Sequence, residues 1–489
     1  LPHPSTPPLY PTPRSPCDLA AISPRSRLDL ASAQVGHTLG LRHNFRASTS
    51  YTYEQLSDTA FTSTHGLSSS VMDYIGAFVP SNRSLQGQLY SASVGEYDWW
   101  AIKYGYMPVE GEVAGVQPAP LAALAASGAA SPELRFATDE DGSRASGIDP
   151  FVSVYDLGVD PLYFHEDRIA LVQQLLTKVV NSTVGIGQPW TSLLPAITSF
   201  LNVALRAGAY SAKYIGGFVF SKAHRGDPAA PDPVLPASPT DQARALQLML
   251  QLISQSFWLP AASLARLMPK RTGSCSGLEQ YCYGSGAPDI RGSVMRIRKL
   301  ILSGLVQQTR IEGLEQQEWQ RQGTQPPPPP PSLPAESGGH VWGSRPPDPV
   351  PSVAIDFSPP SVGGPSVGGL LTAIHSTLRA VPAAQITGLS ANVTAALGDR
   401  AADAGMAYEM QRYWVGLLVD LAEEASSEAA AQATRLLLDM TEEINTAVLA
   451  VGSNTTSEAA AETSQLGELR ALRAHYLTLQ HMLAHWVEH

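Results

Sequence analysis

Two imidazoles and a glycine raise the first chemical possibility. In the string QVGHTLGLRHNF, residues 34–45, His37 and His43 stand three residues either side of Gly40. Imidazole is the commonest side-chain ligand for metal ions. A helix ending near residue 40 presents His37 on its last turn. A glycine there can adopt the backbone conformation that turns the chain out of the helix, so that His43 comes back to the same point. The spacing predicts a metal-binding turn with Gly40 as its pivot. A lone histidine on a short helical segment more often packs than ligates, so the reading rests on the pair and the glycine together.

The elements that would position this turn can be followed along the chain. A short helical pattern runs to Leu41, a polar loop rich in Ser and Thr follows, then VMDYIGAFV and the aromatic run GEYDWWAIKYGYM. An Ala/Gly/Pro-rich connector at 112–132 leads to DPFVSVYDLGVDPLYF. Asp160 before Pro161 reads as a helix cap and first-turn proline, and Ile169, Val172, Leu175, Leu176 and Val179 form one apolar stripe behind them. Further helices are expected at 191–206, 240–257, 262–268 and 290–308, with a strand or hairpin at 212–221 broken at Gly216 and Gly217. Residues 323–369 hold six consecutive prolines, Pro326 to Pro331, and repeated SVGG units, the composition of an extended linker. Beyond it, Leu466, Leu469, Leu472, Tyr476, Leu479, Leu483 and Trp486 recur at spacings of three and four, the signature of a helical tail. The fold class expected is mainly α (α+β).

Composition removes several functions. Lys and Arg number 32 against 43 Asp and Glu, a net charge of −11, so no phosphate-neutralising surface and no nucleic-acid partner are expected. The charge-free stretches 114–131 and 179–205 are interrupted by Pro, Gly, Gln or Asn, and no membrane span is expected. The three cysteines cannot build a disulfide framework, although Cys275 and Cys282 could pair on export, leaving Cys17 over. Acceptor tripeptides at Asn82, Asn181, Asn392 and Asn454 would permit glycosylation in a secretory compartment. Residues 1–34 hold no signal peptide and no periodicity, and are read as irregular.

The spacing HxxGxxH is the second half of the zinc-protease signature HExxHxxGxxH, and SVMDY places Met72 29 residues after His43, where a Met-turn belongs. With GEYDWWAIKYGYMP, DLGVDPLYFHEDRIALVQQLL and YIGGFVFSKAHRGDP, these strings make the chain resemble the metzincin metallopeptidases, most closely the EcxA-like zinc-binding, Met-zincin family. The resemblance implies the C-terminal part of a zincin catalytic domain followed by helical regions. Its divisions are residues 35–110 with the active-site helix and Met-turn, a connector at 111–135, a mainly helical region at 136–322, the linker at 323–369 and the tail at 370–489. It also implies a zinc cofactor, a protein or peptide substrate, hydrolysis by zinc-activated water, and a secretory or extracellular location. His37 and His43 become metal ligands, and Gly40 and Met72 structural residues. Tyr74 either packs or stabilises the tetrahedral intermediate.

One departure is severe: where the family has His and Glu, this sequence has Ala33 and Gln34. Ala33 cannot ligate, which leaves two of the three protein ligands of a catalytic zinc. Gln34 stands at the general-base position but cannot take a proton. The chain is therefore expected to be an inactive metalloendopeptidase. The alternatives are a pseudopeptidase that serves as a binding module and an extracellular structural glycoprotein. His65 is the first candidate to replace the missing ligand. His481, His485 and His489 share a helix face, and Asp139, Glu140 and Asp141 form an acidic loop; the default for both is solvated surface. Family-like sequence is expected to start abruptly at Val35, with residues 1–34 foreign to the native protein, as a gene-model error would leave them.

Overall fold

A computed structural model describes residues 24–91, 93–109, 118–142, 145–188, 190–254, 263, 266–267, 288–324, 366–387, 397–424, 427–455 and 463–488. The three cysteines, most of the helix expected at 262–268, the polyproline run, Asn392 and His489 lie outside them.

Helix α1 covers Pro24–Thr38, which corrects the irregular reading of the last part of residues 1–34. The segment RSRLDLASAQ lacks an apolar stripe but is rich in the strong helix formers Arg, Leu and Ala, and Pro24 suits a first turn. Propensity forms this helix, and a search for periodicity misses it.

Around the end of α1 the chain folds into short pieces. Helix α2, Tyr53–Ser57, starts at a capping box in which the Thr52 hydroxyl and the Gln55 side chain satisfy each other's backbone N–H. Helix α3, Thr59–His65, is capped by Asp58. Helix α4, Glu96–Tyr106, carries the aromatic run, and helix α5, Ala119–Ala130, receives the Trp100 indole N–H at the Leu124 carbonyl, 2.9 Å away. A small core of Tyr51, Leu56, Leu67, Phe78, Leu157 and Phe164 lies under these pieces.

Helix α6, Pro161–Thr183, begins as expected: the Asp160 carboxylate accepts from the Tyr163 N–H at 3.0 Å. Its stripe packs on helix α7, Leu193–Ser211. The chain then makes the two-stranded sheet, β1 at Phe218–Phe220 antiparallel to β2 at Val234–Pro236, with Phe218 opposite Pro236. Helices α8, Pro239–Ser254, α9, Ile290–Leu305, and α10, Gln308–Thr324, complete the middle region. Gly216 has a φ of +61°, and a Cβ on it would stand 2.3 Å from the Arg310 carbonyl, so only glycine lets α10 lie against this turn.

The tail folds as α11, Val367–Thr387, α12, Leu397–Glu424, α13, Ser427–Thr455, and α14, Thr463–Glu488. One continuous apolar core joins Ile169 and Val172 of α6, Leu201 of α7 and Ile301 of α9 to Trp414 of α12, Leu437 of α13 and Leu483 of α14. The linker divides the sequence here but not the packing. The segment Trp190–Tyr214 is long and apolar enough, by length and composition alone, to cross a bilayer, which the sequence reading did not credit. In this fold Leu193, Ile197 and Leu201 of that segment are buried in the core.

Candidate metal centre

Helix α1 ends as the glycine requires. Gly40 has a φ of +86°, and no atom lies within 4 Å of where its Cβ would be, so conformation rather than space selects glycine. Gly40→Ala is expected to cost about 1–2 kcal/mol of stability, the penalty of a left-handed L-residue. An unfolding midpoint unchanged by that substitution would contradict the assignment.

The turn brings His37 and His43 together, with ring centroids 4.6 Å apart and ring planes at 87°. His37 Nδ1 lies 3.0 Å from the Leu41 carbonyl, and His43 Nδ1 lies 3.0 Å from the Met72 carbonyl. A carbonyl only accepts, so in each neutral ring Nδ1 carries the proton and Nε2 keeps its lone pair. Backbone bonds of this kind fix the tautomer and ring orientation that ligating histidines use. Tyr74 reaches the same place: its hydroxyl donates to His43 Nε2 at 2.8 Å. Burial, then the charge of Asp139, pushes the Tyr74 phenol above its usual range and keeps it a donor.

Met72 is fully buried, and its sulfur would be 2.3 Å from a Cβ on Gly36. The Met-turn is thus pressed against the last turns of α1, and Gly36 makes room for it. Carboxylates hold the turn from both sides. Asp98 on α4 accepts from the Ser70 hydroxyl at 2.6 Å, from Val71 N at 2.9 Å and from Gly95 N at 3.0 Å. Asp73 accepts from Ser48 N at 2.7 Å, while the Ser48 hydroxyl donates to Asp156 at 3.0 Å. One oxygen of each of these two carboxyls is buried without a partner. Burial, then the neighbouring Asp156, pushes Asp73 well above the carboxylate range, and burial raises Asp156 to about 6.

Gly36, Ser48, Asp73, Asp98 and Asp156 escaped the sequence reading. Asp73 and Asp98 stood inside the quoted strings SVMDY and GEYD, and their type and position were the only signal available.

The remaining candidates do not gather at the two histidines. On α1, one helical turn before His37, Ala33 shares its face but offers only a methyl group, and Gln34 is exposed. His65 is engaged elsewhere: it pairs with Glu96, which also accepts from the Tyr51 hydroxyl, and stacks on Phe61 at 4.4 Å. Burial works against the Glu96 charge, but the hydrogen bonds from Tyr51 and His65 outweigh it and hold the carboxyl below its ordinary range. The acidic loop is paired rather than merely solvated, Glu140 with Arg42 at 2.5 Å and Asp141 with Lys222 at 2.7 Å. Among the described residues no group of three His, Cys, Asp or Glu side chains could hold a metal; the tail trio includes His489, which lies outside them. Two oriented imidazoles do not fit a catalytic zinc, which takes three protein ligands and keeps one open position.

Comparison with known families turns on the same region. The sequence profile described as Met-zincin matches residues 26–334, more than half of the chain. The chain belongs to the Met-zincin family. Its domain is therefore metalloprotease-like, and the family is a zinc-binding one. The Met-zincin match starts at residue 26, inside α1, and not at the abrupt edge expected before Val35. It ends before α11, so the tail helices lie outside it. No curated protein and no solved structure matches the chain.

Proposed function

We propose that this Met-zincin domain is catalytically silent, a metallopeptidase-type centre reduced to His37 and His43. The observation that carries the proposal is the methyl group of Ala33 on the helix face where a third ligand is needed, beside the neutral Gln34. Zinc held by two imidazoles exchanges readily, and without a carboxylate at position 34 general-base assistance, typically about 10²–10⁴ in rate, is absent. After dialysis the purified chain should retain well under one zinc per molecule, and hydrolysis of casein should stay at background with zinc added. Stoichiometric zinc, or cleavage abolished by His43→Ala, would sink the proposal.

Binding without hydrolysis is the second reading, and a cavity of about 350 Å³ favours it. Leu39, Gly40 and Arg42 of the histidine turn border it on one side, and Trp100, Tyr104 and Tyr106 of α4 on the other. Peptides with aromatic or aliphatic side chains are the ligands that such walls suit. Saturable binding of a peptide library member that Trp100→Ala weakens supports this reading, and indifference to that change counts against it. A secretory or extracellular location belongs to the same proposal; its support is the family resemblance and the acceptor asparagines, and glycan mass on the secreted chain tests it.

A further inference from the structure

Helices α11–α14 line a partly open cavity of about 110 Å³, outside the Met-zincin match, with all four helices in its wall. Helical bundles build their ligand sites in this place, from side chains on facing helices. Trp414 of α12 lines the cavity and is 1% exposed, yet its indole N–H has no hydrogen-bond partner. Buried indole N–H groups normally find one.

Gln411, which shares the wall, does not serve. Gln411 donates from Nε2 to the Leu378 carbonyl at 2.8 Å, and its Oε1 lies 2.5 Å from His475 Nε2. His475 is 3% exposed, stacks on Tyr408 at 4.2 Å and is kept neutral by burial, which lowers it to about 4. Both ends of the Gln411 amide are thus engaged. In the same lining His375 Nε2 stands 3.6 Å from the Glu443 carboxylate, which can accept a hydrogen bond from an occupant. Leu378, Met440, Ile444 and Leu479 form the apolar part of the wall, and Tyr476 adds an aromatic ring.

We infer that this cavity binds a small, flat, neutral heteroaromatic ring with an acceptor atom for the Trp414 N–H and an N–H or O–H for Glu443. The volume is below that of an engineered apolar cavity, about 150 Å³, that takes benzene, which limits the occupant to one small ring.

Pyrazole, which carries both an acceptor nitrogen and an N–H, is the probe. In the full chain with ¹⁵N-labelled tryptophan, the Trp414 indole resonance is identified by its loss in Trp414→Phe. Pyrazole should shift that resonance downfield with saturation, and benzene should not. By calorimetry Trp414→Phe should weaken pyrazole by about 5-fold, the worth of one hydrogen bond, and Leu479→Phe should fill the cavity and abolish binding. Should Leu479→Phe fail to fold, Ile444→Phe takes its place. No saturable shift up to millimolar pyrazole, or equal affinity in Trp414→Phe, overturns the inference.

Discussion

Replacing Ala33 by His and Gln34 by Glu is expected to give the chain both a retained zinc and measurable peptidase activity. Residues 33 and 37 lie four apart on α1 and so project from the same face, where His37 and His43 are already oriented by their backbone bonds. Ala33→His alone should supply the third protein ligand and raise zinc affinity by more than about 100-fold, since loss of a supporting hydrogen bond alone commonly costs 10–100-fold. Hydrolysis should stay low in that single variant and rise by about 10²–10⁴ when Gln34→Glu adds the base. Ala33 is buried, so the new ring must displace neighbours, and Ala33→Leu is the control for that disturbance. A double variant that binds zinc no better than the parent, with helix content intact, would show that α1 does not direct position 33 at the two histidines.

How far the sequence could be read follows the distance over which each feature acts. The histidine turn was legible because its parts lie within seven residues and its glycine has one conformational purpose, which the φ of Gly40 bears out. The cap at Asp160 and the stripe behind it are equally local. The supports of the Met-turn were not legible. Ser48 meets Asp73 across 25 residues and Asp156 across 108, and single polar residues carry no period that would join them. The part of α1 before Val35 escaped because propensity without amphipathicity leaves no stripe. The tail was read correctly as helical, yet its shared core with α6, α7 and α9 depends on which apolar faces meet, and a linker composition says nothing about that.

The two carboxyls on Ser48 should make the stability of the parent chain depend on pH, and Asp156→Asn should remove the part that Asp156 contributes. Burial raises the folded Asp156 to about 6, above the ordinary value of about 3.9 that it regains on unfolding. Below that unfolded value both states hold the proton and the contribution to stability is whole. As pH rises, the unfolded chain ionises first, so stability is lost until pH passes about 6, by about 2–3 kcal/mol for Asp156. Asp73 is shifted in the same direction by burial and by Asp156, and adds to the loss. Other buried groups run the opposite way. Burial lowers His165 to about 3 and His475 to about 4, so the unfolded chain takes up their protons in this window and stability rises with pH. Burial lowers Lys213, which faces Asp156, to about 7, so it too favours the folded state as pH rises further. The total profile therefore mixes signs, and only the difference between parent and variant isolates Asp156. Asparagine keeps an oxygen for the Ser48 hydroxyl and has no proton to lose. Between pH 4 and 6.5 the stability of Asp156→Asn relative to the parent should climb steadily, and a difference that stays flat would mean that Asp156 folds as a carboxylate.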